Sequence, residues 1–465
     1  EMSMADIVCV SPVDGREIAR RPAASRAEIE LATTRARAAQ RAWRELSIAE
    51  RARLCSAAVD AMLAMGDEIA PEISWQMGRP IRYSGGELKG FEERARRMIA
   101  LADAALAPVV PDARNGFRRA IKKEPRGVML TVAPWNYPYL TAVNSVIPGL
   151  MAGNAVILKH AAQTLLVGER FAEAFRRAGL PDGVFQTLTL DHESTLALIS
   201  SGALDQINFT GSVEAGRAIE RAAAGTFANV TLELGGKDPA YVRPDADLQH
   251  AIDNLVDGAM FNSGQCCCGI ERIYVHRDLY DRFVDGAVAL TNQYALGDPL
   301  DQNTTLGPMA RASLAEIVRR QTTDAVARGA KAHIDPRAFA RDRAGSTYLA
   351  PQILTGVDHG MTVMVEETFG PVVGIMPVSS DEEAVKLMND SKYGLTAAIW
   401  TNDVDAAERL GAHIETGTVF MNRCDYLDPD LAWTGVKETG RGVSLSALAY
   451  DHLTRVKSYH LRSLS

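Results

Sequence analysis

The chain has 465 residues, too many for one simple core, so two or three domains are expected. Hydrophobic residues make up 47% and charged residues 23%, an ordinary globular balance. A net charge of −8, with the signs interspersed, argues against a nucleic-acid partner, which calls for a basic patch. The most apolar long stretch, 142–158, is interrupted by Asn144, Pro148, Gly149, Gly153 and Asn154 and does not read as a membrane span. Six cysteines, three of them contiguous, make no disulfide framework in a chain this long. No signal peptide is read, and a reducing, cytoplasmic setting is expected.

The first hundred residues read as helices. Ser25 to Glu28 and Ser47 to Glu50 each match a capping box, in which a hydroxyl and a carboxylate satisfy exposed backbone N–H groups. Gly78-Arg79-Pro80 and Gly85-Gly86 punctuate the run. These segments read as surface and packing helices that carry no chemistry. Residues 109–126 change character: Asn115-Gly116 is a strong hairpin signal, and 454–462 at the C-terminus alternates like a half-buried strand.

Residues 127–159 read as strand, turn, helix, strand, with Val128–Val132 and Ala155–Leu158 as buried strands and Lys159 at the second strand's end. Between Pro134 and Pro138 the turn is stiffened by proline, which suits an Asn136 amide that must be held still. Such an amide can serve a developing oxyanion, or simply satisfy its own turn. Strand-like Gln206–Phe209 runs into Gly211-Ser212 and a helix, where free N–H groups can face a pyrophosphate; an ordinary strand-to-helix turn would look the same. Glu233 ends an apolar run before Gly235-Gly236, placed either as a general base or as a salt-bridge partner.

Met260–Val275 holds Cys266-Cys267-Cys268 ahead of a strand-like Arg272–Val275. On an extended chain Cys267 would face one way and its two neighbours the other, presenting one thiol between two small packers. Adjacent cysteines suit neither a tetrahedral metal site nor a disulfide, although cysteine is often merely a small buried hydrophobe. Residues 278–296 read as helical, and so does the region from Thr304 to Ala344. Ser380–Glu383 is a further capping box opening a helix to Asn389.

Taken together, the Thr131–Pro138, Phe209–Ser212, Thr231–Pro239, Met260–Val275, Glu366–Pro371 and Thr434–Gly440 stretches resemble the NAD(P)-dependent aldehyde dehydrogenase superfamily, over nearly the whole chain. The resemblance implies an α/β fold: a Rossmann-like coenzyme domain (1–108 and 126–234), an α/β catalytic domain (235–435) and small β oligomerisation segments (109–125 and 447–465). It implies Cys267 as nucleophile, Glu233 as general base and Asn136 in the oxyanion hole, with no metal. Trp135, Lys159, Gly211, Ser212, Glu367 and Phe369 would bind NAD or NADP. Many NAD-preferring members carry a glutamate three residues after the lysine; here Ala162 stands there, which removes the main electrostatic penalty against NADP. His160, where the family often has proline, reads as a packing variant. Tyr137, Tyr426 and Trp433 are candidates for lining a substrate tunnel, or are packing aromatics. The expected partners are a small aldehyde and further copies of the chain, as a homodimer or homotetramer. A CoA-acylating dehydrogenase and a cysteine-dependent esterase are the alternatives, the first disfavoured by Glu233.

Overall fold

The computed structural model describes residues 5–464. A hairpin, β1 (Asp6–Val10) and β2 (Glu17–Pro22), opens the chain. This departs from the all-helical expectation, and its turn at Asp14-Gly15, with Gly15 at φ +80°, is the signal that announces it. Four helices follow: α1 (Arg26–Trp43), α2 (Ile48–Ala64), α3 (Gly66–Met77) and α4 (Ile81–Ala105). Ser25 forms the complete reciprocal box with Glu28. Ser47 forms half of one, because the Glu50 carboxylate turns to Arg53 instead.

Strand and helix then alternate: β3 (Phe117–Pro125), β4 (Val128–Ala133), α5 (Pro138–Met151), β5 (Ala155–His160), α6 (Leu166–Ala178) and β6 (Phe185–Thr187). Next come α7 (His192–Ser200), β7 (Gln206–Thr210), α8 (Val213–Ala223) and β8 (Asn229–Glu233). Five of these strands pair in parallel in the order β8-β7-β4-β5-β6. β4 and β5 are buried at every position, as strands covered on both faces must be. In register, Val132 sits beside Lys159 and Phe209, and Thr210 beside Glu233. The carboxyl ends of four strands therefore meet at one edge, where open α/β sheets bind ligands.

A second sheet forms from β9 (Asp238–Val242), α9 (Leu248–Met260), β10 (Ile270–His276), α10 (Arg277–Thr291), α11 (Ala312–Ala327), β11 (Lys331–Ala332) and β12 (Gln352–Thr355). It continues through α12 (Thr362–Val365), β13 (Val372–Val378), α13 (Asp381–Asn389), β14 (Tyr393–Gly394), β15 (Thr396–Trp400), α14 (Val404–Gly411) and β16 (Thr418–Met421). The order is β11-β12-β13-β10-β9-β15-β16, with only β11 antiparallel. Of the region expected to be helical up to Ala344, only α11 is a full helix; the chain beyond it is mostly irregular.

The last elements are β17 (Val436–Lys437), β18 (Gly440–Arg441), α15 (Ala449–Leu453) and β19 (Thr454–Arg462). β18 returns to the first sheet and lies antiparallel to β8, placing Gly440 opposite Glu233. β19 pairs with β3 along its full length, from Thr454 opposite Pro125 to Arg462 opposite Phe117. Most of β19 is exposed, Val456 at 70%. Among the described residues no helix is long and apolar enough to cross a membrane.

Candidate active site

The cysteine stretch is a tight turn rather than an extended segment. Asn262, Ser263 and Gly264 all take positive φ (55°, 56° and 71°), and the Gly269 N–H then donates to the Cys266 carbonyl at 3.1 Å. Left-handed backbone is strained for residues with a Cβ, so this reversal is held by its contacts. Asn262 Nδ2 donates to the Gln265 carbonyl (3.1 Å), and Gln265 Nε2 to the Asn262 carbonyl (3.0 Å). At Gly264 an added Cβ would meet the Gly370 carbonyl oxygen at 1.9 Å, so only glycine lets the loop after Phe369 pack on the turn. The expected division of the cysteines still results. Cys266 and Cys268 are buried with sulfurs 3.4 Å apart, and Cys267 is partly accessible.

Two cavities meet at Cys267. The smaller, about 230 Å³, reaches Tyr137, Glu233 and Trp433; the larger, about 460 Å³, reaches Trp135, Gly211, Glu367 and Phe369. Asn136, Thr210 and Cys267 border both. Contact with Cys266, followed by burial, pushes the Cys267 thiol up.

Asn136 is fixed from its backbone side. Its carbonyl accepts from Asn262 Nδ2 (3.0 Å) and from Arg79 Nη2 (2.5 Å), while Arg79 Nε donates to Asn262 Oδ1 (3.0 Å). Arg79 also pairs with Glu87 at 2.5 Å, the two side chains only 2% and 0% exposed, and Glu87 accepts from the Leu140 N–H (3.0 Å). Among the described residues neither the Asn136 side-chain amide nor the Cys267 N–H has an acceptor, which leaves two free donors beside the thiol. Arg79, Glu87 and, on the wall of the smaller cavity, Arg94 belong to this site, so the reading of the first hundred residues as free of chemistry is corrected.

Glu233 ends β8. One carboxylate oxygen accepts from Thr210 Oγ1 at 3.0 Å, and the other from the Ser444 hydroxyl, brought in by the return through β18. Among the described residues it forms no ion pair, so the salt-bridge alternative does not hold. Burial pushes its carboxyl up, against the opposing pull of those two hydroxyls and of Arg94.

The larger cavity fits a nicotinamide coenzyme. Ser212 caps α8, its hydroxyl accepting from the Ala215 N–H (3.2 Å), and at Gly211 an added Cβ would strike the Phe209 ring at 2.6 Å. Phe369 (φ 53°) stands edge-on to Trp135 at 5.8 Å between centroids. Glu367 accepts from the Gly236 N–H (2.8 Å), and burial, then Glu271, pushes its carboxyl up to about 8. The Glu367–Phe369 loop is clamped from below: Glu271 accepts from the Thr368 and Phe369 N–H groups (2.7 and 3.1 Å) and pairs with buried Lys237 (2.7 Å). A cleft with an open helix N-terminus, a buried carboxyl and two aromatic edges has the donors and shape such a coenzyme needs.

Lys159 lies outside that cavity. It is buried at the end of β5, where burial pulls its amine down, and it borders a separate cleft of about 850 Å³ together with exposed Ala162 and Asp191. His160 is a packing residue: its ring bridges the Pro138 carbonyl (3.0 Å) and Thr164 Oγ1 (3.0 Å). Of the three tunnel candidates, Tyr137 and Trp433 line the smaller cavity, whereas the Tyr426 hydroxyl turns outward to donate to Glu93. Glu87 and Ser444 lie outside every motif, and Arg79 and Glu271, although inside Gly78-Arg79-Pro80 and Met260–Val275, had no role read for them; they are ordinary polar residues until the fold brings them together.

Fold and cleft together define an α/β protein of the dinucleotide-binding class with a thiol at the inner end of the cleft. The chain belongs to the aldehyde dehydrogenase family, whose sequence profile matches residues 1–459, and it is an NAD(P)-dependent oxidoreductase acting on aldehydes. It is 34% identical to an aldehyde dehydrogenase of Paenarthrobacter nicotinovorans over 459 residues, covering 97% of this chain and 99% of that one. It is likewise 34% identical to an NADP(+) succinate-semialdehyde dehydrogenase of Mycobacterium tuberculosis, with the same coverage. Two solved structures superpose with a TM-score of 0.94. One is a succinate-semialdehyde dehydrogenase of Burkholderia pseudomallei (30% identical, covering 98% of this chain and 95% of that one). The other is an NAD+ complex of a Bacillus cereus aldehyde dehydrogenase (29% identical, 98% and 93%). The α/β fold inferred from sequence is this family's fold.

Proposed function

We propose that this enzyme oxidises its aldehyde through a thioester on Cys267. The observation that carries the reading is the pair of free N–H donors, Asn136 Nδ2 and Cys267 N, beside a thiol shared by two cavities. The Cys267 thiol gives up its proton to solvent, the thiolate so formed adds to the aldehyde carbon, and those donors hold the resulting oxyanion. NAD or NADP, when bound, supplies the hydride acceptor that turns this adduct into the thioester. Glu233 then takes a proton from water, which attacks the thioester, releases the carboxylic acid and returns the sulfur as thiolate. Trp135, Gly211, Ser212, Glu367 and Phe369 hold the coenzyme, and Lys159 reaches its adenosine ribose. Ala162 leaves that site without a carboxylate to repel a 2′-phosphate, in line with an NADP-named relative. Cys267→Ala should abolish reduced-nicotinamide formation with every aldehyde, and substantial oxidation by that variant would sink the thioester route.

Residues 1–108 with 126–234 form the coenzyme domain, 235–435 the catalytic domain, and 109–125 with 447–465 the oligomerisation segments; residues 1–4 and 465 lie outside the described residues. The exposed face of the β3–β19 ribbon, with Val456 and Leu461 open to solvent, supports assembly into a homodimer or homotetramer. A mechanism that needs a free thiol beside two others suits a reducing cytoplasm. A CoA-acylating enzyme would not need Glu233 in the cavity, and an esterase would not need the larger cleft.

A further inference from the structure

Arg94 is the one cationic side chain lining the smaller cavity, and among the described residues it forms no ion pair. It projects from α4 toward α5, where its Nη1 donates to the Leu140 carbonyl (2.7 Å) and to Asn144 Oδ1 (3.3 Å). A guanidinium offers five N–H donors in a planar fork. Among the described residues the Nε and Nη2 edge has no partner, and no carboxylate lies within ion-pair distance. The two nearest acids are committed elsewhere: Glu87 to Arg79, and Glu233 to Thr210 and Ser444. Burial pulls the guanidinium down, yet arginine keeps its charge in any protein site. Arg94 is half-buried, and a partly desolvated, unpaired charge facing a cavity is costly, so an anion arriving in that cavity would relieve the cost.

The surroundings fit such an anion. Thr141 and Asn144 add polar groups next to Arg94, while Phe261, Leu427 and Trp433 supply apolar wall for an aliphatic chain. The neighbours of Arg94 on α4 hold the outer wall in place: Glu93 accepts from Tyr426, and Arg97 pairs with Asp430 at 2.6 Å. Two carboxyl groups, Asp257 and Asp425, also line the cavity. Burial pushes both carboxyls up, Asp425 well above the ordinary carboxylate range, which favours their neutral forms.

We propose that Arg94 is the specificity residue of this enzyme, pairing its free guanidinium edge with a carboxylate at the far end of the substrate. Given the Cys267 reaction proposed above, the favoured substrates are short unbranched aldehydes that carry a terminal carboxylate.

The test compares the semialdehydes of malonate, succinate and glutarate with their methyl esters, which keep the aldehyde and the chain but lose the charge. Steady-state kinetics are run on the full-length protein with saturating coenzyme, and aminobutyraldehyde supplies the opposite charge. In the wild type, one acid should exceed its ester in kcat/KM by roughly 10- to 100-fold, the range for a hydrogen-bonded charge. Arg94→Gln should collapse that ratio toward one, chiefly by raising KM for the acid, and Arg94→Lys should keep part of it. The wild-type comparison needs no variant, so a misfolded substitution does not remove the test. Turnover of esters with no preference for any acid overturns the role of Arg94 and leaves the thioester reaction standing. So does an equal fall in kcat for acid and ester in Arg94→Gln, which would assign the guanidinium to Glu233 or Cys267. Preference for aminobutyraldehyde overturns it in favour of Asp257 and Asp425. No turnover of any aldehyde by folded wild-type protein overturns the reaction and the substrate class together.

Discussion

Replacing Arg79 with methionine should weaken the fold and the proposed oxyanion site at once, and a second substitution should separate the two effects. Arg79 and Glu87 are 2% and 0% exposed and 2.5 Å apart. Removing one partner of such a buried pair typically costs about 3–5 kcal/mol, because the other charge is stranded. Glu87 would keep only the Leu140 N–H at 3.0 Å. The Asn136 carbonyl would lose one of its two donors and keep Asn262 Nδ2 at 3.0 Å. A loosened reacting geometry of that kind lowers kcat by about a hundredfold for a displacement near 1 Å. In Arg79→Met/Glu87→Gln no charge is stranded, so most of the lost stability should return while kcat stays low. Urea unfolding followed by tryptophan fluorescence reads the first quantity, and initial rates under saturating substrate read the second. A double variant that regained its rate along with its stability would show that Arg79 serves the fold alone, and that Asn136 is held by Asn262 without it.

Three further outcomes follow from the same geometry. Asn136→Ala removes a side-chain donor from the oxyanion and should lower kcat by about 10²–10³ with little change in coenzyme affinity; a smaller loss would mean that the Cys267 N–H suffices. Glu233→Gln should leave a single-turnover burst of reduced nicotinamide but abolish steady turnover, because only the water step needs the base. Burial raises the Glu233 carboxyl, and the base works only when deprotonated, so wild-type kcat should climb with pH through a range above that of an ordinary glutamate; a limb at the ordinary glutamate value would contradict the buried base. Ala162→Glu places a carboxylate beside Lys159 and should shift the NAD-to-NADP ratio of kcat/KM toward NAD by roughly tenfold or more, since like-charge contacts cost several kcal/mol. An unchanged ratio would separate this position from the 2′-phosphate.

Much of the site was legible locally, because its residues stand where the backbone is conspicuous. Asn136 lies between two prolines, Glu233 runs into a Gly-Gly turn, and Cys267 lies between Gly264 and Gly269 ahead of a strand. Strand periodicity and glycine placement located β4, β5, β7 and the N-terminus of α8 to within a residue or two. The backbone of the cysteine turn escaped, since three consecutive left-handed residues leave no periodic trace and only one of them is glycine.

By itself, then, the sequence determined the family, the α/β alternation and the candidate residues proposed for thiol chemistry, because each is written in short segments governed by local sterics and burial. Tertiary structure alone decided what holds and tunes them. Arg79 reaches Asn136 across 57 residues, Glu271 clamps Thr368 across 97, and Ser444 meets Glu233 across 211 only because β18 folds back along β8. Whether Arg94 is a surface charge or an unpaired cation facing a cavity depends on which helices pack around it. A local pattern reports the conformation and burial of its own segment; the partner of a buried charge is set by packing between segments that carry no mark of each other.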